Sequence, residues 1–573
     1  MKPGAFKLKA IKNQEEIVPY FSRMTNKEIS RAMRLAGALA ELHEANPFKV
    51  KSLNNAAFQI DRLPVQVSTL SENELLNLQG IGKSLAKNIS QLLKTGSFDE
   101  MDELMRITPP GVMAMMEIKG LGPKKITVLW NQLGVESPGE LLYACNENRL
   151  VALPGFGTKT QEKIKDAIEY SMANEGIMLF ADAESIANEF IALFHQVAGY
   201  QPVPVSELRR KMEIVPRIEL LAEEEGGQLL ELLKQIETID GILLHEDSSY
   251  VELRYREQYE IHIHFSEAEE FEERLMLLTG PPEHLQELGL VSAGNGISTE
   301  RDFYSEMGFP YILPELRDLP LDQAATIDAG KLVELSDIRG TIHNHSTWSD
   351  GANTLKEMAL AAQKLGLEYL IICDHSKTAS YAGGLSIERV QEQWAEIEKL
   401  NIELAPFRIF KGIESDILND GSLDYPDDIL EKFDLVVASV HSVLNMDSER
   451  ATARLIKAIE HPATKMLGHP SGRLLLSRKP YPLDYEKIID ACKANRVIME
   501  LNANPYRLDL DWRYIPMCME KGVKISINPD AHKTEGYHDM RYGIEIARKG
   551  GLTKDFLFNS ASRDEMAHSL KFW

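Results

Sequence analysis

The feature that most constrains the fold is a series of short motifs, rich in histidine and acidic residues, that each follow or end an apolar, strand-like run. The motifs are His343-Asn344-His345 with Ser349-Asp350-Gly351, Cys373-Asp374-His375, Gly412-Ile413-Glu414, Ser439-Val440-His441, Gly468-His469-Pro470 and Asn528-Pro529-Asp530-Ala531-His532. Any one of these histidines could be a lone core or surface residue. Nearly every strand-like run from 341 to 532 ends this way, however. Imidazole and carboxylate groups that converge from many strands suit a site for several metal ions.

Amphipathic helical patterns separate the apolar runs from residue 339 onward. Examples of the runs are Tyr369–Cys373, Arg408–Gly412, Leu435–Val440, Val497–Leu501 and Val523–Ile527. This alternation predicts parallel strands joined by crossover helices, and a barrel is the expected arrangement. Barrel enzymes keep their chemistry at the carboxyl ends of the strands, which is where the motifs fall.

A second pattern occurs three times within residues 24–176, a region that reads as helical. Each copy has two glycines separated by one apolar residue, and a helical pattern with lysines follows it. The copies are Leu78-Gln79-Gly80-Ile81-Gly82-Lys83, Ile118-Lys119-Gly120-Leu121-Gly122-Pro123 and Leu153-Pro154-Gly155-Phe156-Gly157-Thr158. This is a helix-hairpin-helix signature, in which the glycines permit a tight turn and the next helix points N–H groups at a phosphate.

We predict that these hairpins bind the DNA backbone. The predicted DNA-binding residues are Gly80, Gly82, Lys83, Lys87, Gly120, Gly122, Lys124, Lys125, Gly155, Gly157, Lys159 and Lys163. The alternative is an ordinary helix hairpin that ends in glycine. Three copies at near-regular spacing, all with lysines behind them, favour DNA binding over that alternative.

Composition narrows the classes of protein that this chain can belong to. It has 573 residues, 44% of them hydrophobic, and a formal net charge of −24, which argues against broad adhesion to nucleic acid. DNA contacts must therefore come from specific segments. The four cysteines are widely spaced, and neither a membrane-spanning run nor a signal peptide is visible. We expect a cytoplasmic protein without a membrane partner.

The middle of the chain, residues 177–330, alternates helix and strand patterns. Ile239–Leu244 and Tyr250–Tyr255 look like paired strands, and Tyr259–Phe265 alternates with period two.

Together these patterns resemble the bacterial family-X DNA polymerases, in which a polymerase-beta-like core precedes a PHP (polymerase and histidinol phosphatase) domain. The resemblance covers the chain after about residue 24. It implies a multidomain α/β protein: a helical N-terminal region with helix-hairpin-helix motifs, an α+β nucleotidyltransferase-like palm and thumb, and a C-terminal PHP domain with a distorted (β/α)7-type barrel. The implied parts are an N-terminal extension at 1–23, a small helical DNA-binding domain at 24–105, a fingers-like helical domain at 106–176, a palm at 177–264, a thumb at 265–322, a linker at 323–338 and the PHP domain at 339–573.

The palm departs from the family pattern at the positions that would hold metal. The family has a Gly-Ser motif and two arginines, then Gly-Asp-x-Asp, and a third Asp on a later strand. This chain lacks the Gly-Ser pair, keeps Arg209 and Arg210, and has Arg217, Glu219 and His262 at the three carboxylate positions, with Glu260 nearby. Arginine cannot bind a cation, and neutral histidine is a poor ligand for Mg²⁺. We therefore expect neither Mg²⁺ at the palm nor templated polymerisation, and Arg217 is expected to pair with Glu219 or Glu260.

A further activity of some relatives, the removal of 5′-deoxyribose phosphate, uses a lysine that forms a Schiff base. The matching position in this chain is Asn88, which cannot form one. Lys83 and Lys87 lie close by and are interpreted as phosphate contacts.

The PHP motifs are intact. The resemblance implies nine metal ligands: His343, His345, Asp350, His375, Glu414, His441, His469, Asp530 and His532. The implied grouping places His343, His345, Glu414 and Asp530 on one ion, His441 and His469 on a second ion bridged by Glu414, and Asp350, His375 and His532 on a third. Mn²⁺ or Zn²⁺ is the expected metal, with up to three ions.

Several polar residues near the motifs are candidates for contacting substrate. Arg473 is predicted to be a catalytic residue that clamps a phosphate oxygen, and a surface salt bridge is the alternative. Lys377 and Lys533 lie within two residues of predicted ligands and are similar candidates. Asn502 and Asn504 follow a strand-like run, so they could orient ligands or substrate, or cap the next helix.

These features favour a Mn²⁺- or Zn²⁺-dependent DNA phosphoesterase that acts as a 3′–5′ exonuclease, with abasic sites and 3′-phosphates as further substrates. The degenerate polymerase core would bind gapped, single-stranded or damaged DNA. Repair proteins are candidate partners, and a monomer is expected. Three alternatives stay open: a PHP phosphatase of small phosphate monoesters, a non-enzymatic DNA-binding scaffold, and an active family-X polymerase with a 3′–5′ exonuclease.

Overall fold

The structure is a computed structural model that describes residues 24–573, apart from residues 64, 79, 119, 147–148, 152, 174–175, 224–225, 246–249, 257–258 and 291–297. The chain forms two compact units, Met1–Glu175 and Gly176–Trp573. The predicted N-terminal extension at 1–23 lies outside the described residues. The finer domain boundaries within each unit stay predictions.

The first unit is helical. Its helices are α1 (Asn26–Leu42), α2 (Pro47–Asp61), α3 (Glu72–Leu75), α4 (Lys83–Thr95), α5 (Asp99–Ile107), α6 (Pro110–Met115), α7 (Pro123–Leu133), α8 (Pro138–Asn146) and α9 (Thr158–Ala173). Helix α1 begins with a capping box between Thr25 and Glu28, which satisfies backbone donors of its first turn. Its buried face joins two hydrophobic clusters. Ile29 and Met33 pack with residues of α2, α4 and α5, and Leu39 packs with residues of α6 to α9.

The second unit begins with two small sheets. Their strands are β1 (Met178–Leu179), β2 (Val203–Pro204), β3 (Ile214–Val215), β4 (Ile218–Glu223), β5 (Ile239–His245), β6 (Tyr250–Tyr255) and β7 (Tyr259–Ser266). Strands β1 and β3 pair with each other, and the other five form a sheet in the order β2-β4-β7-β6-β5. Strands β5 and β6 are antiparallel, as the sequence predicts. The region predicted to be the palm therefore contains a mixed sheet, in which β4 and the central strand β7 run parallel.

The rest of the second unit is a barrel of parallel strands. These are β8 (Gly340–Asn344), β9 (Tyr369–Ile372), β10 (Arg408–Asp416), β11 (Leu435–Ser439), β12 (Thr464–Leu467), β13 (Ile498–Asn502) and β14 (Ile525–Asn528). Each strand pairs with the next in sequence order. A parallel bridge between Asn344 and Ala531 connects the region after β14 to β8, so the seven-stranded barrel is nearly closed. The predicted PHP barrel is confirmed.

Helices join and flank these strands. They are α10 (Phe180–Ala198), α11 (Ser206–Arg209), α12 (Gly226–Leu233), α13 (Phe271–Thr279), α14 (Pro282–Glu287), α15 (Glu300–Glu306), α16 (Leu321–Ala324), α17 (Leu355–Lys364), α18 (Ile387–Glu403), α19 (Asp427–Leu430), α20 (Ser448–Ile459), α21 (Tyr485–Asn495), α22 (Ile515–Lys521), α23 (Met540–Lys549) and α24 (Arg563–Lys571). Barrel strand β9 is buried along its whole length, as expected of a parallel strand covered by helices. None of the helices in the described part of the chain is both long and apolar enough to cross a bilayer.

Candidate metal centre

The carboxyl ends of the barrel strands bring all nine predicted ligands into one cluster. Every strand except β13 supplies at least one ligand, either from its last residues or from the loop that follows it. The ligand atoms form overlapping groups within 4.8 Å: His345, Asp350, His375 and His532; His343, His469 and Asp530; His343, His345 and Glu414; and His375, Glu414 and His441. Six of the nine residues are buried, and Asp350, His441 and His532 are more exposed.

The observed groups follow the implied grouping in part. Asp350, His375 and His532 lie together as expected, and His345 joins them. His375 also shares Glu414 with His441, and His469 lies with His343 and Asp530. Several ligands therefore belong to more than one group, whereas the grouping implied by the resemblance shares only Glu414 between two ions.

Glu414 is the central carboxylate of the cluster. Its Oε1 lies 3.2 Å from His343 Nε2, 3.1 Å from His441 Nε2 and 3.0 Å from His469 Nε2, and its Oε2 lies 2.8 Å from His375 Nδ1 and 3.8 Å from His345 Nε2. Two ligand atoms that share an ion at bond lengths of about 2.1 Å are separated by about 3 to 3.5 Å. Most of these separations match such sharing, and Glu414 belongs to two of the ligand groups, so it would be a ligand common to both.

Three ligand residues have left-handed backbone conformations. The φ angles are 58° at His343, 23° at His469 and 50° at Asp530. Such conformations cost on the order of 1–3 kcal/mol at residues other than glycine, and they cluster at functional sites. The contacts around these residues must therefore be strong enough to hold the ligands in place.

Two further carboxylates hold histidine ligands from outside the cluster. Oε1 of Glu500 lies 2.6 Å from His343 Nδ1, and Oδ1 of Asp416 lies 2.5 Å from His441 Nδ1. An ionised carboxylate only accepts hydrogen bonds, so each Nδ1 carries the proton and each Nε2 is left to bind metal. Glu500 also accepts a hydrogen bond from the backbone N–H of His469, at 2.6 Å.

Sequence reasoning missed both of these outer carboxylates, although strand periodicity contains the signal. Asp416 lies two residues after Glu414 on β10, and Glu500 lies two residues before Asn502 on β13. Side chains two apart on a strand point to the same face. Asp374 has a related role. It accepts hydrogen bonds from the Ser346 backbone N–H at 2.8 Å and from Ser349 Oγ at 2.6 Å, which holds the loop that carries Asp350.

Burial lowers the pKa of an imidazole, and the neighbouring charges decide whether that effect prevails. At His343 the carboxylates of Glu500 and Glu414 overcome burial and raise the pKa well above its usual value. At His441, Glu414 likewise overcomes burial and raises the pKa to about 10. At His345, burial and the nearby His532 lower the pKa to about 3.

The carboxylates of the cluster show the opposite response. Burial alone would raise their pKa values, but the surrounding histidines hold the pKa of Glu414 and that of Asp530 well below the usual range. The cluster thus contains ionised carboxylates balanced by protons on imidazoles. Cations that bind there would displace those protons, because a histidine ligand must be neutral.

Buried polar atoms test whether these residues fit a metal. Within the described part of the chain, Nε2 of His343, Nδ1 of His345 and Oε2 of Glu414 are buried without a hydrogen bond. Buried polar atoms are otherwise nearly always bonded, and metal coordination would satisfy them. The donor set of imidazole and carboxylate suits Zn²⁺, Mn²⁺ or Fe²⁺. The residues therefore fit a multinuclear metal site.

Arg473 forms an ion pair with Asp511, as the alternative interpretation expects, although the pair is buried and not at the surface. The guanidinium is buried and donates to the carbonyl of Arg507 at 2.9 Å, to the carbonyl of Leu508, and to Asp511 Oδ2 at 2.7 Å. All three partners belong to the loop after β13. The guanidinium already donates to these three acceptors, so fewer of its donors are left for a phosphate oxygen, and that contact stays a prediction.

The other predicted polar candidates differ in position. Asn502 donates from Nδ2 to Asp530 Oδ2 at 3.0 Å, which fits a role in orienting a ligand. Asn504 accepts from the backbone of Tyr506 at 3.0 Å, within the loop. Lys377 and Lys533 are exposed near the cluster, and their contact with substrate stays a prediction.

At the predicted palm site, Glu219 and Glu260 each have a positively charged or histidine partner. Arg217 donates from Nε to Glu219 Oε1 at 2.6 Å, so the pairing expected from the sequence is confirmed. Glu219 lies directly opposite His262 across β4 and β7. Nε2 of His262 lies 2.8 Å from Oε1 of Glu260. Arg217 therefore occupies the carboxylate that a metal would need.

The two arginines that the palm retains are engaged in internal ion pairs. Arg209 makes a bidentate contact with Glu300, at 2.9 and 2.7 Å. Arg210 donates to the carbonyl of Thr279 at 2.8 Å and to Asp318 at 3.2 Å. These pairs tie the palm to the segment after it and leave fewer donors for a triphosphate.

The three predicted hairpins have the backbone that their glycines permit. Gly80, Gly120 and Gly155 have φ angles of 81°, 89° and 84°, a region that side chains disfavour. Helices α4 and α7 begin after Gly82 and Gly122 without a side-chain cap, so N–H groups of their first turns are open to an anion, although Pro123 at the start of α7 has none.

The lysines behind the hairpins are not equivalent. Lys83, Lys87, Lys159 and Lys163 are exposed. Lys125 instead donates to the carbonyl of Gly120 at 2.9 Å, and Lys124 lies 3.7 Å from Glu41. Part of the predicted DNA-binding set therefore also stabilises the hairpins. Asn88 lies on α4 and is partly exposed.

Comparison with known proteins agrees with this layout. The sequence matches a helix-hairpin-helix domain over residues 24–98, a SAM-like helix-hairpin-helix tandem over 112–169 and a PHP domain over 341–504. A probable phosphatase from Thermoanaerobacter sp. (strain X514) is 29% identical over 229 residues, which cover 38% of this chain and 89% of that protein. A probable phosphatase from Vibrio parahaemolyticus is 29% identical over 235 residues, with 39% and 89% coverage.

One relative matches the chain almost from end to end. The DNA polymerase/3′–5′ exonuclease PolX of Bacillus subtilis (strain 168) is 32% identical over 571 residues, which cover 96% of this chain and 100% of that protein. This match includes the palm-like sheet, the hairpins and the PHP barrel. The chain therefore belongs to the bacterial family-X DNA polymerases that carry a C-terminal PHP domain.

Proposed function

We propose that this protein is a metal-dependent DNA phosphoesterase that removes nucleotides from 3′ ends, with abasic sites and 3′-phosphates as further substrates. The observation that carries the proposal is the cluster of nine ligand residues at the carboxyl ends of the barrel strands. The name of the Bacillus subtilis relative, a DNA polymerase/3′–5′ exonuclease, supports DNA as the substrate. The barrel would hold up to three Mn²⁺ or Zn²⁺ ions.

The residues of the barrel would have different roles in such a reaction. Bound cations would supply charge neutralisation of the phosphodiester and activation of a water near neutral pH. Glu414 would bridge two positions, and Glu500 and Asp416 would orient His343 and His441. The burial of Glu414 and His343 excludes bulk water, which strengthens every electrostatic interaction within the cluster.

The helical unit would bind the DNA on which the barrel acts. Its open helix ends and exposed lysines suit phosphates of any sequence. The strongly acidic chain would otherwise repel DNA, so these local contacts carry the affinity. We further propose that the palm does not polymerise, because Arg217 pairs with the one carboxylate left in the metal motif.

A double substitution tests the barrel assignment. His343→Ala with His345→Ala removes two ligands that share Glu414, so both bound metal and 3′-end degradation should be lost. The assay follows labelled single-stranded, gapped and abasic DNA with Mn²⁺ or Zn²⁺, and metal content is measured on the same samples. His461→Ala is the matched control, because His461 pairs with Asp427 outside the cluster. Full nuclease activity in the double variant would refute the proposal.

A phosphatase of small phosphate monoesters is the second candidate. The two probable phosphatases that match the barrel region favour it. The three hairpins disfavour it, since a small substrate needs no DNA-binding unit. Comparison of kcat/KM on p-nitrophenyl phosphate and on a single-stranded oligonucleotide separates the two candidates, and a higher value on the monoester would favour the phosphatase.

A further inference from the structure

The loop after β13 brings a second arginine, Arg507, to the ligand cluster. Its Nε lies 3.6 Å from Oδ2 of Asp530, and its side chain is 18% exposed. A separation of 3.6 Å is longer than a hydrogen bond. Among the described residues, none accepts a hydrogen bond from the Arg507 guanidinium. The donors of this group are therefore available at the edge of the cluster.

Asp530 does not depend on Arg507 for its hydrogen bonds. Its Oδ1 lies 3.0 Å from His345 Nε2, and its Oδ2 accepts from Asn502 Nδ2 at 3.0 Å. Both carboxylate oxygens are thus satisfied by other residues. If the only role of Arg507 were to hold Asp530, its guanidinium would be expected within hydrogen-bonding distance of that carboxylate.

Arg473 holds the loop that carries Arg507. Its three hydrogen bonds go to the carbonyls of Arg507 and Leu508 and to the side chain of Asp511. The same loop is fixed from a second side by Asp509, which accepts from the backbone N–H of Ser471 at 3.0 Å. The backbone of Arg507 is consequently held in place, and its long side chain extends from a rigid base.

We propose that Arg507 binds a non-bridging oxygen of the phosphate group that reacts at the barrel, and that Arg473 is a positioning residue for Arg507. The proposal rests on the proposed function of the barrel as a phosphoesterase. A planar guanidinium with five donors matches the oxygens of a phosphate, and pairs of this kind are often bidentate. The carboxylates of Glu414, Asp530 and Asp350 would otherwise repel the substrate anion, and Arg507 offsets that repulsion from the protein side.

Two variants of Arg507 and a matched control test this assignment. Arg507→Gln should lower kcat/KM on a single-stranded oligonucleotide by about 10- to 100-fold and weaken the binding of inorganic phosphate by a similar factor, with metal content unchanged. Phosphate binding is measured by calorimetry, which does not depend on turnover. Arg507→Ala should regain part of the lost activity when guanidinium ion is added. Arg408→Gln makes the same change at the amino end of β10 and should leave every measurement unchanged.

Arg473 is tested through its coupling to Arg507. Arg473→Lys should raise KM and lower phosphate affinity in the wild-type background, but it should add little in the Arg507→Gln background. Two residues that act through one contact are non-additive in such a cycle. Additive losses would refute the positioning role, because a residue that merely stabilises the fold would act the same in both backgrounds.

The outcomes separate this proposal from the proposed function. If the wild-type protein cleaves neither DNA nor monoester, the proposed function fails, and phosphate calorimetry alone decides for or against Arg507. If the wild type is active and Arg507→Gln keeps both kcat/KM and phosphate affinity within about twofold, Arg507 does not bind the phosphate. Loss of metal in Arg507→Gln, or an equal loss of activity in Arg408→Gln, would also overturn the assignment.

Discussion

The barrel and the palm both collect acidic and histidine side chains on neighbouring strands, but different groups neutralise the acids. In the barrel, Glu414 is surrounded by imidazoles at 2.8 to 3.8 Å. In the palm, the guanidinium of Arg217 binds Glu219 at 2.6 Å. The two regions therefore differ in whether the positive partner can be replaced.

This difference is the physical basis for our prediction that the barrel binds cations and the palm does not. A charged imidazole becomes a metal ligand when it loses its proton. A cation that enters the cluster would therefore replace the positive charge of that proton and bind the nitrogen that carried it. A guanidinium keeps its proton at any relevant pH and cannot coordinate. We therefore infer that the carboxylates of the barrel are open to metal, and we predict that Glu219 of the palm is not, because Arg217 holds it.

The largest expected effect comes from the central carboxylate. Glu414→Gln removes the charge that joins two ligand groups, so nuclease activity should fall by about a thousandfold or more, together with bound metal. Glu398→Gln is the control, since Glu398 is a surface residue paired with Lys411. Metal analysis and a degradation time course on the same preparations check the prediction. Retained metal with full activity in Glu414→Gln would contradict the bridging role.

A smaller effect is expected from the outer carboxylate Glu500. Glu500→Gln replaces an acceptor of the His343 proton with an amide, so metal affinity should fall by about 10- to 100-fold. Asp416→Asn should act similarly through His441. Competition with a metal indicator measures both, and thermal unfolding checks that the fold is intact. Unchanged affinity in both variants would show that orientation by these carboxylates is unnecessary.

The hairpins should give a moderate effect on DNA binding alone. Lys87→Gln with Lys159→Gln should weaken binding to all DNA sequences alike and reduce the salt dependence by about one unit of slope per lost phosphate contact. Lys49→Gln with Lys94→Gln removes the same charge away from the hairpin turns and should have less effect. Fluorescence anisotropy at several salt concentrations provides the measurement. A sequence-selective loss would argue against backbone binding.

The palm should give the smallest effect on activity. Glu219→Gln should leave nuclease activity within about twofold of wild type, because its carboxylate holds Arg217 and no metal. Gap-filling assays with Mg²⁺ or Mn²⁺ should show no nucleotide addition, even in a Glu414→Gln background that cannot trim products. Template-directed addition in that background, abolished by Glu219→Gln, would mean that the palm still polymerises.

Much of the barrel could be predicted because local periodicity encodes it. The predicted run Leu435–Val440 corresponds to β11, and the run Tyr369–Cys373 to β9, each within one residue at its ends. The ligand positions at the ends of these strands followed from the same pattern. The palm pairing of Arg217 with Glu219 was also accessible, since residues two apart on an extended segment share a face.

Contacts between distant loops were not accessible in this way. Arg473 follows a ligand motif, and sequence proximity alone suggested a role at the substrate. Its partners lie 34 and more residues away, in a loop whose path no periodic pattern predicts. The outer carboxylates are an intermediate case, because periodicity indicates their face but cannot indicate their histidine partners.

The sequence by itself determined the ligand types, their positions at strand ends, the hairpin glycines and the substitutions at the palm. These are properties of single residues and of short periodic segments, which neighbouring residues control. The tertiary structure alone decided which histidine nitrogen faces the cluster and which arginine reaches it. Those choices depend on carboxylates and loops brought together from distant parts of the chain, as when Glu500 meets His343 across 157 residues.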